Sequence, residues 1–316
     1  MTARLVLCAL LLAACRVPQP DGEAVRVTIP QGASLGAIAE TLVAHGIIDS
    51  PRRFRFYATL LGKDRKLGAG TYDLHRDRPL RDVLDALVAG VPALETLVIP
   101  EGLMLTEVAA VVEAQLGISA DSFAAAARDP ALIALVDSNA ATLEGYLYPS
   151  TYAVRVGADA REVARQVVAE FIARWKPEWH ARLDSLGLDR REVVILASII
   201  EGEVRHDVDR RFVASVYHNR LAAGWRLQAD PTVIYALGRR RRLFERDYLT
   251  RSPYNTYRHD GLPPGPIGQP AAASIEAALY PARTDFFFFV ARPDGQHVFS
   301  RSLREHRAAI ARIRGR

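Results

Sequence analysis

The chain has 316 residues, 49% hydrophobic and 24% charged, with 41 basic against 36 acidic side chains and a net charge of +5. That balance excludes a disordered or fibrous chain, and the length points to two domains. The small basic excess suits an anionic partner such as nucleic acid, phospholipid or wall polymer without choosing among them.

Residues 1–14 read as a secretion signal. Arg4 is the positive start, Leu5 to Leu12 the apolar run, and Ala13-Ala14 the small residues before Cys15. The run is about 10 residues, short of the ~20 that span a bilayer. Residues 15–24 are a polar, proline-containing linker. Val25 to Ile29 alternates as a strand, Pro30-Gln31-Gly32 turns, and Ser34 stands at a helix N-cap before Leu35, Ile38, Leu42 and Val43. Pro51 opens a second helix, Gly68 to Leu74 turns into a strand, and Leu80 to Leu87 is a helical stripe. Leu94 to Ile99 is a further strand, and Pro100-Glu101-Gly102 repeats the earlier Pro-x-Gly punctuation.

Residues 105–140 are alanine-rich and helical, and 143–154, with Gly145 and Pro149 among aromatics, read as loop or short strand. Helices are predicted over 161–175, 190–203, 210–223 and 274–279. Residues 252–270 are a long Pro/Gly-rich loop, a length that in compact domains points to function or disorder. Phe286 to Val290 is predicted as a buried strand paired with Val298-Phe299. The fold class is therefore α+β: a small α/β subdomain over 25–102 and a mixed α+β domain over 103–316. Arg239 to Arg242 reads as a solvated basic loop.

The chemistry concentrates where the apolar run Val193 to Ile200 ends in Glu201. A carboxylate at the end of a greasy helix is a candidate for a raised pKa, so it could donate a proton at neutral pH. Glu203 lies about 200° further round the same helix, so the two do not form a same-face dyad. Glu203 and His206 have a metal-chelating spacing, but no clustered histidine pattern accompanies it, and exposed helix polarity is the simpler reading. Asp230 occupies a turn position before Pro231, where it could form an Asx turn or accept from sugar hydroxyls.

Several ordered strings carry a family resemblance: LEGYLYPSTY at 143–152, ASIIEGEV at 197–204, VASVYHNRL at 213–221, LQADPTVIYALG at 227–238, YNTYRHDGLPPGPIGQP at 254–270 and, more weakly, HVFSRSLREH at 297–306. Together they resemble the YceG-like family, the endolytic murein transglycosylases of bacteria. Pro266 stands where family members often carry alanine. The resemblance implies an enzyme that cleaves peptidoglycan strands to 1,6-anhydro ends with Glu201 as general acid/base. It also implies Glu144, Tyr146, Gln228, Asp230, Tyr254, Asn255 and Tyr257 at the substrate, with no metal and no cofactor. The front subdomain resembles a LysM-like module, whose relatives bind N-acetylglucosamine polymers. Leu12 to Cys15 resembles a lipobox, which implies cleavage before Cys15, a lipid on its sulfur, and a mature chain without a free thiol.

The implied partners are glycan strands, a membrane and neighbouring cell-wall synthases, with no nucleic acid. The implied place is the cell envelope, with the body of the chain in the periplasm. The family points to the inner membrane; Arg16 after the cysteine points to the outer one. Two other readings compete: a non-catalytic glycan-binding scaffold for synthases, and a muramidase that hydrolyses with water and uses Asp230 as its second carboxylate.

Overall fold

The computed structural model describes residues 24–90 and 92–315. The signal, Cys15 and all but the last residue of the 15–24 linker lie outside the described residues. The chain divides into two compact units: residues up to 94 with 155–157, and 95–154 with 158–316. Among the described residues no helix is long and apolar enough to cross a membrane.

In the first unit, β1 (Ala24–Ile29) is followed by α1 (Leu35–Ala44), α2 (Pro51–Leu60), β2 (Gly70–His75) and α3 (Leu80–Ala89). β1 and β2 pair antiparallel, with Val27 opposite Tyr72. Ser34 caps α1 as its sequence position suggested, accepting from the amide of Ala37 at 3.2 Å. The core of this unit is Val27, Ile29, Leu42, Phe54, Tyr72, Leu84 and Leu87.

The second unit opens with β3 (Leu94–Ile99), followed by α4 (Leu105–Leu116), α5 (Ala120–Ala126), α6 (Pro130–Ile133) and β4 (Ser150–Arg155), which pairs with β3. Then come α7 (Ala160–Arg174), α8 (Pro177–Leu186), α9 (Arg190–Glu203), α10 (Asp207–Ala222), α11 (Asp230–Leu237), α12 (Ala272–Leu279), β5 (Phe288–Ala291), β6 (His297–Ser300) and α13 (Leu303–Ile313).

α9 is the axis of this unit. Asp189 and Glu192 form a capping box at its start. Val193 to Ile200 is then buried on every face, as an all-round apolar helix requires. Each large aliphatic in that run contributes roughly 1.5–3 kcal/mol by leaving water. The helix packs against α10, α11 and α12, so whatever its last turn carries is delivered between three neighbours.

Several segments differ from the sequence reading, α13 among them, which forms where no helix is expected. α8 forms where no helix was read; Pro177 sits in its first turn and Gly187 ends it in the left-handed region. Asp230 opens α11 instead of a turn, because Pro231 lacks only an amide that the first helical turn leaves unpaired anyway. β5 is half-buried, not buried, because its phenylalanines line a cleft.

Candidate active site

The last turn of α9 presents two carboxylates on opposite sides. Glu201 faces α10 and α12. Its Oε2 accepts from Nη1 of Arg210 at 3.1 Å and from the amide of Ala271 at 2.9 Å. Arg210 is itself gripped by Asp207 at 3.0 Å and by the hydroxyl of Ser274. Both side chains of the Glu201–Arg210 pair are under 10% exposed. These bonds staple the end of α9 to the starts of α10 and α12.

Glu203 faces α10 and α11. The hydroxyl of Tyr217 donates to its Oε1 at 2.8 Å. Burial pushes the Glu203 carboxyl up to about 7, and the nearby charge of Asp230 adds to the rise, against the opposing pull of the Tyr217 hydrogen bond and the Arg220 cation. Glu203, two residues beyond Glu201, is thus a carboxyl raised by burial at the end of this apolar helix.

Gly202, between them, explains how α11 comes so close. A Cβ at this position would lie 2.7 Å from Cβ and 2.9 Å from Cγ of Pro231, inside any tolerable contact. Only glycine lets the first turn of α11 seat against the end of α9, and that contact brings Asp230 beside Glu203.

Glu203 opens onto a cleft of about 380 Å³. Asp230 and Tyr257 also line it, and the Tyr257 hydroxyl donates to Asp230 Oδ1 at 2.6 Å. Gln228, at the rim, is the one non-glycine residue with a left-handed backbone among those described, at φ 51°. That conformation costs about 1 kcal/mol or more and is held by the Gln228 amide bonding the carbonyl of Thr256 at 3.2 Å. The far wall comes from the end of the chain. β5 and β6 pair antiparallel with Ala291 opposite His297. The hairpin lays Phe288, Phe289 and His297 along the cleft, and α13 adds His306.

His297 is positioned by Asp209, whose Oδ2 accepts from its backbone amide at 2.7 Å and from Nδ1 at 2.9 Å. The ring's other nitrogen, Nε2, makes no hydrogen bond among the described residues. Arg220, over the Phe288 ring at 5.6 Å, ties the hairpin back to α10 by donating to the carbonyls of Phe287 and Leu227.

The structure thus brings together Gln228, Asp230 and Tyr257 from the sequence-predicted set. Asn255 is fully buried behind them and holds the loop: its Nδ2 donates to the carbonyls of Tyr248 and Thr250, and its Oδ1 accepts from the amide of Tyr257. Tyr254 packs on Tyr235, ring centres 4.7 Å apart, and does not line this cleft. Glu144 and Tyr146 lie in the interior. Glu144 accepts from the amide of Leu105 at 3.0 Å and from Gln269 Nε2 at 2.6 Å, and burial raises its carboxyl to about 7. Tyr146 packs edge-on against Phe171 and donates to Asp137 at 2.9 Å. Their hydrogen bonds run to these partners, and neither lines the cleft. Glu203 and His206 do not converge on one ion, because His206 Nε2 donates to the carbonyl of Asp294 at 2.8 Å.

Sequence reasoning did not single out Glu203, Arg220, Phe288, Phe289, His297 or His306 for this cleft. The string HVFSRSLREH at 297–306 was the one signal for the two histidines.

The same cleft-forming segments fall within a match to the YceG-like family model over residues 27–312. The chain belongs to the YceG-like family. It is 31% identical over 301 residues to an endolytic murein transglycosylase of Bacillus subtilis, covering 90% of this chain and 83% of that one. It is 30% identical over 320 residues to an enzyme of the same name from Streptococcus pneumoniae, covering 91% of this chain but 58% of that longer protein. The crystal structure of a yceG-like protein from Listeria monocytogenes superposes with a TM-score of 0.62 at 33% identity, covering 91% of this chain and 99% of that one. The YceG-like fold of this chain is accordingly a mixture of helix and small two-stranded sheets, the α+β class read from its sequence.

Proposed function

We propose that this YceG-like chain is an endolytic lytic transglycosylase of peptidoglycan, with Glu203, which lines the cleft, as the single general acid/base and Glu201, the residue that the family resemblance implies, as the competing candidate. One observation carries the assignment of the acid: Glu203 lines the cleft with Asp230 and Tyr257, whereas Glu201 is bonded to Arg210 and the Ala271 amide; burial, which pushes the Glu203 carboxyl up to about 7, agrees with it. A carboxyl with that pKa is half protonated at neutral pH, which suits proton donation followed by proton removal.

In this reading Glu203 gives its proton to the oxygen linking N-acetylmuramic acid to N-acetylglucosamine as the C1–O4 bond breaks. Positive charge develops at the muramyl C1 and ring oxygen, and the Asp230 carboxylate beside Glu203 stabilises it. The C6 hydroxyl of the same muramyl residue attacks C1. Its proton passes to the Glu203 carboxylate, which restores the acid and leaves a 1,6-anhydro end. Tyr257 holds Asp230 in place, and Gln228 and the free Nε2 of His297 bond sugar substituents.

The relatives' name supports murein as substrate. The further expectations rest on the same reading. Cleavage within nascent strands limits their elongation beside the synthases. Cys15 carries a lipid anchor in the envelope. Residues 25–102 are a LysM-like glycan-binding part and 103–316 the catalytic part.

The test is mass spectrometry of products from uncrosslinked glycan strands with the native chain, Glu203→Gln and Glu201→Gln. The proposal expects anhydro-ended fragments from the native chain and from Glu201→Gln, and none from Glu203→Gln. Reducing ends would assign water as the nucleophile, with Asp230 as second carboxylate. Full activity in Glu203→Gln would remove it from the chemistry, and binding without cleavage by the native chain would favour the scaffold.

A further inference from the structure

Between α11 and the Tyr257 segment, residues 239–251 carry six arginines against two acids, Glu245 and Asp247. Read as a sequence, this is a solvated basic loop. The structure adds two features that solvation alone does not explain. Phe244 and Leu249 stand 53% and 67% exposed at its surface. The frame beneath them is fixed. Asp247 accepts from both Nη atoms of Arg241, at 2.6 and 2.7 Å, and from the amide of Phe244 at 2.7 Å. Arg240 pairs with Glu107 at 2.7 Å, and Asn255 clasps the carbonyls of Tyr248 and Thr250. The guanidinium groups of Arg241 and Arg246 lie 5.4 and 5.8 Å from the Phe244 ring centre. Arg239, Arg242, Arg246 and Arg251 are exposed and make no ion pair among the described residues.

We propose that this loop docks the second unit on an anionic phospholipid bilayer. Four unpaired cations around two exposed apolar side chains, on a backbone already ordered, match an interface where headgroups are negative and the layer beneath is apolar. A polyanion free in water would satisfy the arginines but leave Phe244 and Leu249 wet. The contact is coupled to the cleft: Tyr248, beside Leu249, donates to Asp230 Oδ2 at 3.4 Å and packs edge-on against Tyr257. Docking therefore sets the cleft next to the bilayer. The inference depends on an envelope location but not on which glutamate is the acid.

The experiment uses the full chain with Phe244→Trp, read as a difference from the native chain, on vesicles whose lipids carry brominated acyl chains. The expected result is a blue shift and quenching of Trp emission on phosphatidylglycerol vesicles and neither on phosphatidylcholine. Partitioning should weaken at least about tenfold in 0.5 M salt or when Arg239, Arg242, Arg246 and Arg251 are all changed to Ser. That quadruple variant should cleave soluble strands at the native rate. An unquenched indole on phosphatidylglycerol, or equal quenching on neutral vesicles, would overturn the proposal. The same blue shift with inorganic polyphosphate alone would also overturn it and assign the loop to an anionic polymer. Because the signal is read without turnover, failure of the docking and failure of the catalytic reading are told apart.

Discussion

The two sides of the last turn of α9 carry the same functional group in different settings. On one side Glu201 accepts from a guanidinium and a backbone amide. On the other Glu203 accepts from the Tyr217 hydroxyl and the Asp230 amide, with the Asp230 carboxylate and the Arg220 cation nearby, and burial raises its carboxyl. Two residues and about 200° of helix separate a glutamate tied to an arginine from one that lines a cleft. The comparison teaches that the neighbouring helices decide what a glutamate at the end of an apolar run meets.

The sharpest way to break the comparison is to neutralise each side in turn. Glu203→Gln should lower strand cleavage about 10²–10⁴-fold, the usual span for losing a general acid. Glu201→Gln should lower the melting temperature while changing turnover per folded molecule less than about tenfold. Equal losses in both variants would mean that the staple and the acid are not separable.

Next in size is the staple itself. Arg210→Ala leaves the Glu201 anion buried without its cation and should cost about 3–5 kcal/mol in urea unfolding. A loss under 1 kcal/mol would mean that water replaces the guanidinium.

The raised groups make stability depend on pH. Glu144 and Glu203 are both raised from 4.5 to about 7 on folding. Their contribution is fully present below about pH 4.5 and is lost as pH rises through about 7. The fall between pH 5 and pH 8 should lessen by about 2–3 kcal/mol in Glu144→Gln, measured by urea midpoints at the two pH values. An unchanged slope would show that Glu144 is ionised in the fold.

The smallest effect tests the tyrosine. The Tyr217 hydroxyl favours the ionised form of Glu203, so Tyr217→Phe should move the alkaline limb of the activity profile upward by roughly half a unit. A downward shift would mean that the hydroxyl stabilises the protonated acid.

Much of this was legible in the chain. Helix α9 ran where its apolar stretch and capping residues placed it, and Gln228, Asp230 and Tyr257 met in one cleft. The separation of Glu201 from Glu203 followed from helical geometry, but which side faced the cleft did not. That depended on Pro231 seating against Gly202, a contact between residues whose spacing carries no pattern. Glu144 and Tyr146 shared the aromatic-rich string of a cleft wall, yet their bonds run to Leu105, Gln269 and Asp137 inside the core. His297 was visible only within a weak motif, because its place depends on Asp209, 88 residues earlier.

The hairpin and α13 wall has a consequence for biosynthesis. Glu203 is made about two-thirds of the way along the chain, while Phe288, His297 and His306 are among the later residues to emerge. A chain leaving the ribosome or a translocation pore would carry its acid on a finished helix while the opposite wall was still missing. Long-range closure of this kind is a slow step of folding. It would also act as a safety catch, since a nascent or truncated chain would have an open cleft with one wall missing.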